Sequence, residues 1–286
     1  MPVALVTDST AYLPAAWQAR LTVGVVPLHV VVGGHEYNEG VDITADEVAE
    51  ALRSFTPVTT SRPAPQAFLA AYQAAADAGA EAVVSVHLSS DLSATIGGAT
   101  LAATRAPIPV TVVDSRSLGM VMGYAVASGS ALAATGASVE TVADHVRARC
   151  AASEAIFYVD TLEYLRRGGR IGKAGALVGS ALAIKPILGI RDGAIVLLEK
   201  VRTASRALAR LEERAIEAVS AAHDEGREVD VAVQHLGSGV RAATLAERLR
   251  SRVGDEDQVR VVELGAVVGA HVGPGAVAIA VSPRLV

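Results

Sequence analysis

The sequence predicts an α/β protein of two domains. Residues 1–153 form a parallel-sheet α/β domain, and residues 154–286 form an α/β domain with a mixed sheet. Three observations lead there. Short apolar runs, typical of strands buried on both faces, alternate with alanine-rich stretches of helical period. The first half keeps the order strand, helix, strand, helix, which calls for parallel strands covered by helices. The second half holds Arg191-Asp192-Gly193 between two apolar runs, a hairpin signal that makes its sheet mixed. A chain of 286 residues has room for about two domains. The boundary near residue 153 rests on the change in pattern.

In chain order, residues 3–7 read as a buried strand that ends at Asp8-Ser9-Thr10. A second apolar run, 23–32, breaks at Gly33-Gly34 as at a hairpin turn. Thr44 opens a helix over 45–55, and Glu47 completes a capping box. A helix over 65–78 puts Phe68, Tyr72 and Ala75 on one face and stops at Gly79. A buried strand at 82–88 leads into Ser89-Ser90-Asp91-Leu92-Ser93 and a helix from Ser93 to Thr104. A strand at 110–113 ends in Asp114-Ser115, and helices follow at 119–134 and 138–151. The second half starts with a strand at 156–160, then a segment 162–170 and an Ala/Gly/Leu helix to about residue 183. The hairpin 184–202 comes next, then a helix from its cap Thr203 to about residue 222. A strand at 229–236, a helix at 240–250 and strands at 259–264 and 276–282 close the chain.

Composition removes several function classes. The net charge is −5 and the pI about 5.8, so no basic excess exists to neutralise a nucleic-acid backbone. Aromatic residues make up 3%, so any cavity has aliphatic walls. The single cysteine, Cys150, excludes an internal disulfide and reads as an inert structural thiol of a reducing compartment. The start Met1-Pro-Val-Ala lacks a basic signal-peptide region, and no apolar run reaches the roughly 18 residues of a membrane span. A cytoplasmic protein is expected. No pair of histidines has a metal-ligand spacing and no C-x-x-C is present, so neither metal nor cofactor is expected.

Ligands of α/β sheets bind beyond the carboxyl ends of the strands. In the first half those ends carry Thr7, Asp8 and Ser9, then Thr60 and Ser61, then Ser93, then Ser115. Capping is the ordinary role of such residues, but four such junctions in one half point to a shared polar pocket. A helix starting at Ser93 would aim its free N–H groups at an anion. His271 is framed by glycines and stiffened by Pro274, so a ligand can approach it closely. Three short polar loops, around Thr60-Ser61, Ser93 and His271, are therefore expected to converge on an anionic head group. His87 and His235 lie on strand patterns and are expected behind such a site. A hydrolase built on Ser93 and His271 is the alternative, although no G-x-S-x-G elbow is present. Nucleotide binding has no Walker A or G-x-G-x-x-G motif behind it.

Taken together, six segments carry a resemblance over nearly the whole chain. They are Val6-Thr-Asp-Ser-Thr10, Thr60-Ser-Arg-Pro63, Leu88-Ser-Ser-Asp-Leu-Ser-Ala-Thr95, Val113-Asp-Ser115, Leu165-Arg-Arg-Gly-Gly-Arg-Ile171 and Ala270-His-Val-Gly-Pro-Gly-Ala276. In this order they resemble the DegV family, bacterial fatty-acid-binding proteins that serve as the FakB subunit of fatty acid kinase. The resemblance implies a long-chain fatty acid such as palmitate held between two α/β domains. It implies a carboxylate gripped by Thr60, Ser61, Ser93 and the amide of Ala94, with His271 nearby and no arginine in the grip. The acyl chain would run into the C-terminal domain, with 174–188 as its tunnel wall. The protein itself would not be an enzyme. A partner kinase would phosphorylate the presented carboxylate, in fatty acid transport or phospholipid synthesis. Arg62 stands where the family often has Gln, and Asp91 and Ala94 stand where it often has glycines. Arg166, Arg167, Arg170 and Lys173, with Arg202 and Arg206, form a basic cluster suited to an acidic kinase partner or a membrane surface. A third possibility is a small phosphorylated or keto metabolite bound by the same loops.

Overall fold

The computed structural model describes residues 2–172, 184–254 and 258–285. Along the chain come β1 (Val3–Asp8), α1 (Ala15–Gln18), β2 (Val23–Val26), β3 (His29–Val32), β4 (His35–Asn38), α2 (Ala45–Arg53) and β5 (Val58–Ser61). They are followed by α3 (Pro65–Asp77), β6 (Ala82–His87), α4 (Thr95–Ala103), β7 (Val110–Asp114), α5 (Met120–Ala134) and α6 (Val139–Ala152). Then come β8 (Glu154–Tyr158), α7 (Glu163–Arg167), β9 (Lys185–Arg191), β10 (Ala194–Val201), α8 (Ala204–Asp224) and β11 (Val229–His235). The last elements are α9 (Gly239–Arg250), β12 (Gln258–Glu263), α10 (Ala266–Val272) and β13 (Val277–Pro283).

The expected α/β architecture is present. A four-stranded sheet, β2-β1-β6-β7, is parallel throughout. Its strand β6 is buried at every residue, and all of it but Ser85 and His87 is apolar. The helices α3 and α4 cover one face of it through Phe68, Tyr72 and Ala99. On the other face lie α5 and α6. A six-stranded sheet, β10-β9-β8-β13-β11-β12, is mixed, and only β11 and β12 pair in parallel. Its far face is covered by α8 and α9. Its near face meets α5, where Met120 and Tyr124 pack on Ala232 and Ala280. Helix α5 is thus buried between two sheets, which accounts for its apolar character on every side.

Local signals act as expected at several points. Thr44 and Glu47 form the capping box of α2, and Thr203 caps α8. Asp192 and Gly193 both take positive φ, 51° and 84°, as a two-residue type I′ turn requires. Cys150 is buried, and that burial pushes its thiol up to about 12.

Four expectations needed correction. The run 23–32 is two strands in two sheets, because Pro27 interrupts it between β2 and β3. A third, antiparallel sheet, β4-β3-β5, accommodates the second part and contains the Thr60-Ser61 segment as strand β5. The glycine-framed segment around His271 is the short helix α10, and the helix after Ser93 begins at Thr95. Lys173 and residues 174–183 of the expected tunnel wall lie outside the described residues. Residues 185–188 fall in β9. Among the described residues no helix is long and apolar enough to cross a membrane.

Candidate ligand-binding site

Thr60, Ser61, Ser93 and His271 line one cavity of about 80 Å³. Strand β5 carries the first two to this place by pairing with β3, where Thr60 lies opposite Val30. Ser93 stands in the loop after β6, its Oγ 2.9 Å from Thr95 Oγ1. His271 occupies the last turn of α10, and its Nε2 lies 2.8 Å from Thr60 Oγ1. Two glycines let α10 approach this closely. A Cβ on Gly168 would lie 2.1 Å from His271 Nδ1. Gly273 ends α10 with φ +75°, and a Cβ there would strike the Tyr164 ring.

Burial holds His271 well below its usual pKa, at about 4, and the charge of Arg170 adds to the effect. The imidazole is therefore neutral at pH 7. When its Nε2 carries the proton and donates to Thr60, the threonine hydroxyl is free to donate to a ligand oxygen. Helix α4 has no side-chain cap at its N-terminus, where Ala94 is the N-cap residue. Its first N–H groups and the helix dipole favour an anion.

Arginine is nearer than expected. Arg170 lines the same cavity, with Nε donating to Leu92 O at 3.1 Å and Nη1 to Gly168 O at 2.6 Å. Arg62 is part of the wall as well. A grip without arginine does not describe this pocket, and Arg170 belongs to its wall as well as to the basic cluster.

The other expected residues serve elsewhere. Thr7 is fully buried within β1. Asp8 is also fully buried, and its carboxylate accepts from Thr10 N, Thr10 Oγ1, His87 Nδ1 and Leu88 N. Ser9 donates to Glu39, and Ser115 donates to Ser117 O. None of these four lines the cavity, and Ala94 lies beside it. His87 also approaches Ser85 Oγ at 2.7 Å, so Asp8, His87 and Ser85 are spaced like a hydrolytic triad. Ser85 is fully buried and hydrogen-bonded to Tyr72, which leaves no room for a substrate. Ser93 and His271 bond to Thr95 and Thr60 rather than to each other.

Next to the polar cavity lies a second one of about 60 Å³. Leu118, Ile195, Val268 and Val272 belong to the walls of both. The second is lined by apolar side chains from β8, β9, β10 and β13, with Gln234 as its polar exception. Two larger depressions, of about 810 and 1080 Å³, are open surface clefts and contain none of Thr60, Ser61, Ser93 or His271. A polar cavity beside an aliphatic chamber is suited to an amphipathic anion.

The family model described as an uncharacterised protein of the DegV family matches residues 2–284. The chain belongs to the DegV family. It is 49% identical to a DegV domain-containing protein of Streptomyces coelicolor, over 99% of each chain. Among solved structures it is similar to a fatty-acid-binding DegV family protein from Thermus thermophilus. That likeness has a TM-score of 0.91, with 33% identity over 99% of this chain and 100% of the other. A second match is DegV from Bacillus subtilis, a fatty acid binding protein, with a TM-score of 0.90, 31% identity and coverage of 99% and 100%.

One ionisable residue of this DegV chain gave no sequence signal. Glu39, 5% exposed, follows β4 and reaches across to α10. Its carboxylate accepts from Val267 N at 2.7 Å and Ser9 Oγ at 2.5 Å. It therefore caps the helix that carries His271. Burial raises its pKa from 4.5 to about 7, and the charge of Asp8 adds to the rise. A raised folded-state pKa means that the folded protein holds this proton more tightly than the unfolded chain. Glu39 thus contributes full stability below about pH 4.5 and loses it as pH rises through about 7. His271, with its lowered value, does the reverse: its contribution is full above about 6.5 and is lost as pH falls toward about 4. Relative to the wild type, Glu39→Gln should gain stability as pH rises from 4.5 to 7, by on the order of 3 kcal/mol. Urea denaturation across that range measures it, and parallel pH profiles for the two proteins would disprove the assignment.

Proposed function

We propose that this DegV protein binds a long-chain fatty acid and presents its carboxylate to a partner kinase, without catalysis of its own. The observation that carries the reading is the pair of adjacent cavities, one with a polar end and one aliphatic, that share Leu118, Ile195, Val268 and Val272 in their walls. The carboxylate is placed at Thr60, Ser61 and Ser93, beside the N-terminus of α4 with the Ala94 amide, with neutral His271 fixing Thr60. Arg170 supplies a charge-assisted donor at the same end. The acyl chain extends past Leu118, Ile195, Val268 and Val272 into the aliphatic chamber. The fatty-acid-binding relatives from Thermus thermophilus and Bacillus subtilis support the ligand class.

Such a carrier needs a second protein to act on the carboxylate. Arg166, Arg167, Arg202 and Arg206 are exposed and are proposed as docking residues for an acidic kinase surface or a transient membrane contact. Arg166 and Arg167 share an ion pair with Glu163, so this patch is less positive than its residue count.

Native mass spectrometry of the protein purified from a bacterial host tests the reading. A retained long-chain fatty acid is the expected result, and a ligand-free protein that hydrolyses esters would overturn it. With defined acids, shortening the chain by two methylenes should weaken binding by about 1.6 kcal/mol, or roughly fifteenfold. Ser93→Ala should weaken it by about tenfold while leaving the fold intact.

A further inference from the structure

The aliphatic chamber contains one polar side chain. Gln234 is on β11, whose Val229, Val231 and Val233 face the opposite core under α8 and α9. Alternation along the strand turns Gln234 toward α5. It is 4% exposed, and every other residue lining the chamber is apolar.

Hydrogen-bond chemistry sets the orientation of its amide. The backbone N–H of Met120, the first residue of α5, lies 2.9 Å from Gln234 Oε1. An N–H needs an acceptor, and only the oxygen end of the amide can accept. The N-cap residue of α5 is Gly119, which has no side chain to do this work. The oxygen is therefore committed to the helix N-terminus, and the opposite end is an NH₂ group. That group makes no hydrogen bond to the described residues and borders the space of the chamber, while the oxygen has its Met120 bond. A water is a poor partner in this place, because a buried water needs two to four polar neighbours and the chamber walls offer one polar side chain.

We propose that Gln234 reads an oxygen atom on the acyl chain, so that the preferred ligand is a fatty acid bearing a hydroxyl, keto or ether group. The carboxylate end is held as before, and the inference rests on the fatty-acid reading of the site. A plain saturated chain fills the chamber and leaves the NH₂ group unpaired. An oxygenated chain accepts a hydrogen bond from it, and a site built around such a bond discriminates against chains that lack the acceptor.

The test is calorimetric titration of delipidated protein with stearate, 12-hydroxystearate and 18-hydroxystearate. At least one hydroxy acid should bind about tenfold more tightly than stearate, a difference of about 1.4 kcal/mol. Gln234→Met keeps the length and volume of the side chain and removes the donor. It should abolish the preference, so that the hydroxy acids bind the variant no more tightly than stearate does. Stearate that binds the wild type as tightly as both hydroxy acids would overturn the inference and leave the fatty-acid reading standing. A preference that persists in Gln234→Met would overturn it too. Failure of all three acids to bind would instead remove the fatty-acid reading, and the inference with it. If Gln234→Met does not fold, because Met120 N–H has lost its cap, the wild-type comparison decides alone.

Discussion

Replacing Asp8 with alanine should destabilise the protein by about 3–5 kcal/mol, the cost of removing one partner from a buried charged network. The carboxylate accepts from four donors on two segments of chain: two on Thr10, one on Leu88 and the imidazole of the adjacent His87. Every one of these groups is buried. Alanine leaves them without an acceptor, and each unpaired buried donor costs about 1–3 kcal/mol. Asp8→Asn keeps one side-chain oxygen and should lose less. Chemical denaturation gives the size of the effect. The same experiment separates two roles for this residue. A stable Asp8→Ala protein with lost ligand affinity would return Asp8 to the binding site, where its position at a strand end had placed it.

The largest expected effect on binding comes from Gly168→Ala. The backbone there has φ −72°, so alanine is tolerated locally. The added methyl would sit 2.1 Å from His271 Nδ1, and the ring must leave its place. Its bond to Thr60 is then lost, and with it the arrangement of the polar end of the cavity. Fatty-acid affinity should fall by about ten- to a hundredfold, the loss of one or two hydrogen bonds to a charged group. The melting temperature should move little. Calorimetry with palmitate measures the first, and imidazole NMR signals report whether His271 has moved. Unchanged affinity with a displaced His271 would show that the histidine does not support the grip.

Much of the architecture was legible before any coordinates. The burial of β6 and the alternation along β11 are written in their apolar patterns, because a strand between two layers can carry few polar side chains. The turn at Asp192-Gly193 follows from positive φ, and the start of α2 from its capping box. Helix α10 was missed because seven residues with two glycines at their borders carry little periodicity. The split of 23–32 between two sheets was missed because both parts are equally apolar, and Pro27 alone marks the break.

For the site, polar strand ends are a signal that several roles share. Thr60 and Ser93 reach the cavity, while Thr7, Asp8 and Ser115 turn into the protein and half-buried Ser9 bonds to Glu39. In sequence these look alike, since a cap, a buried network and a ligand contact use the same small polar groups. Glu39 and Gln234 had no signal at all. Each acts on a helix N-terminus far away in the chain, 228 residues for Glu39 and 114 for Gln234.

Sequence alone therefore determined the α/β layering, the turns and caps, and the residue types available for an anion. Those properties depend on burial patterns and backbone preferences a few residues long. The packing of three sheets and α10 decided which candidates meet. It set Thr60 against His271 across 211 residues, brought Arg170 to the same cavity, and left Gln234 as the one polar side chain in an aliphatic chamber. These contacts depend on how distant surfaces fit, and no local pattern encodes that fit.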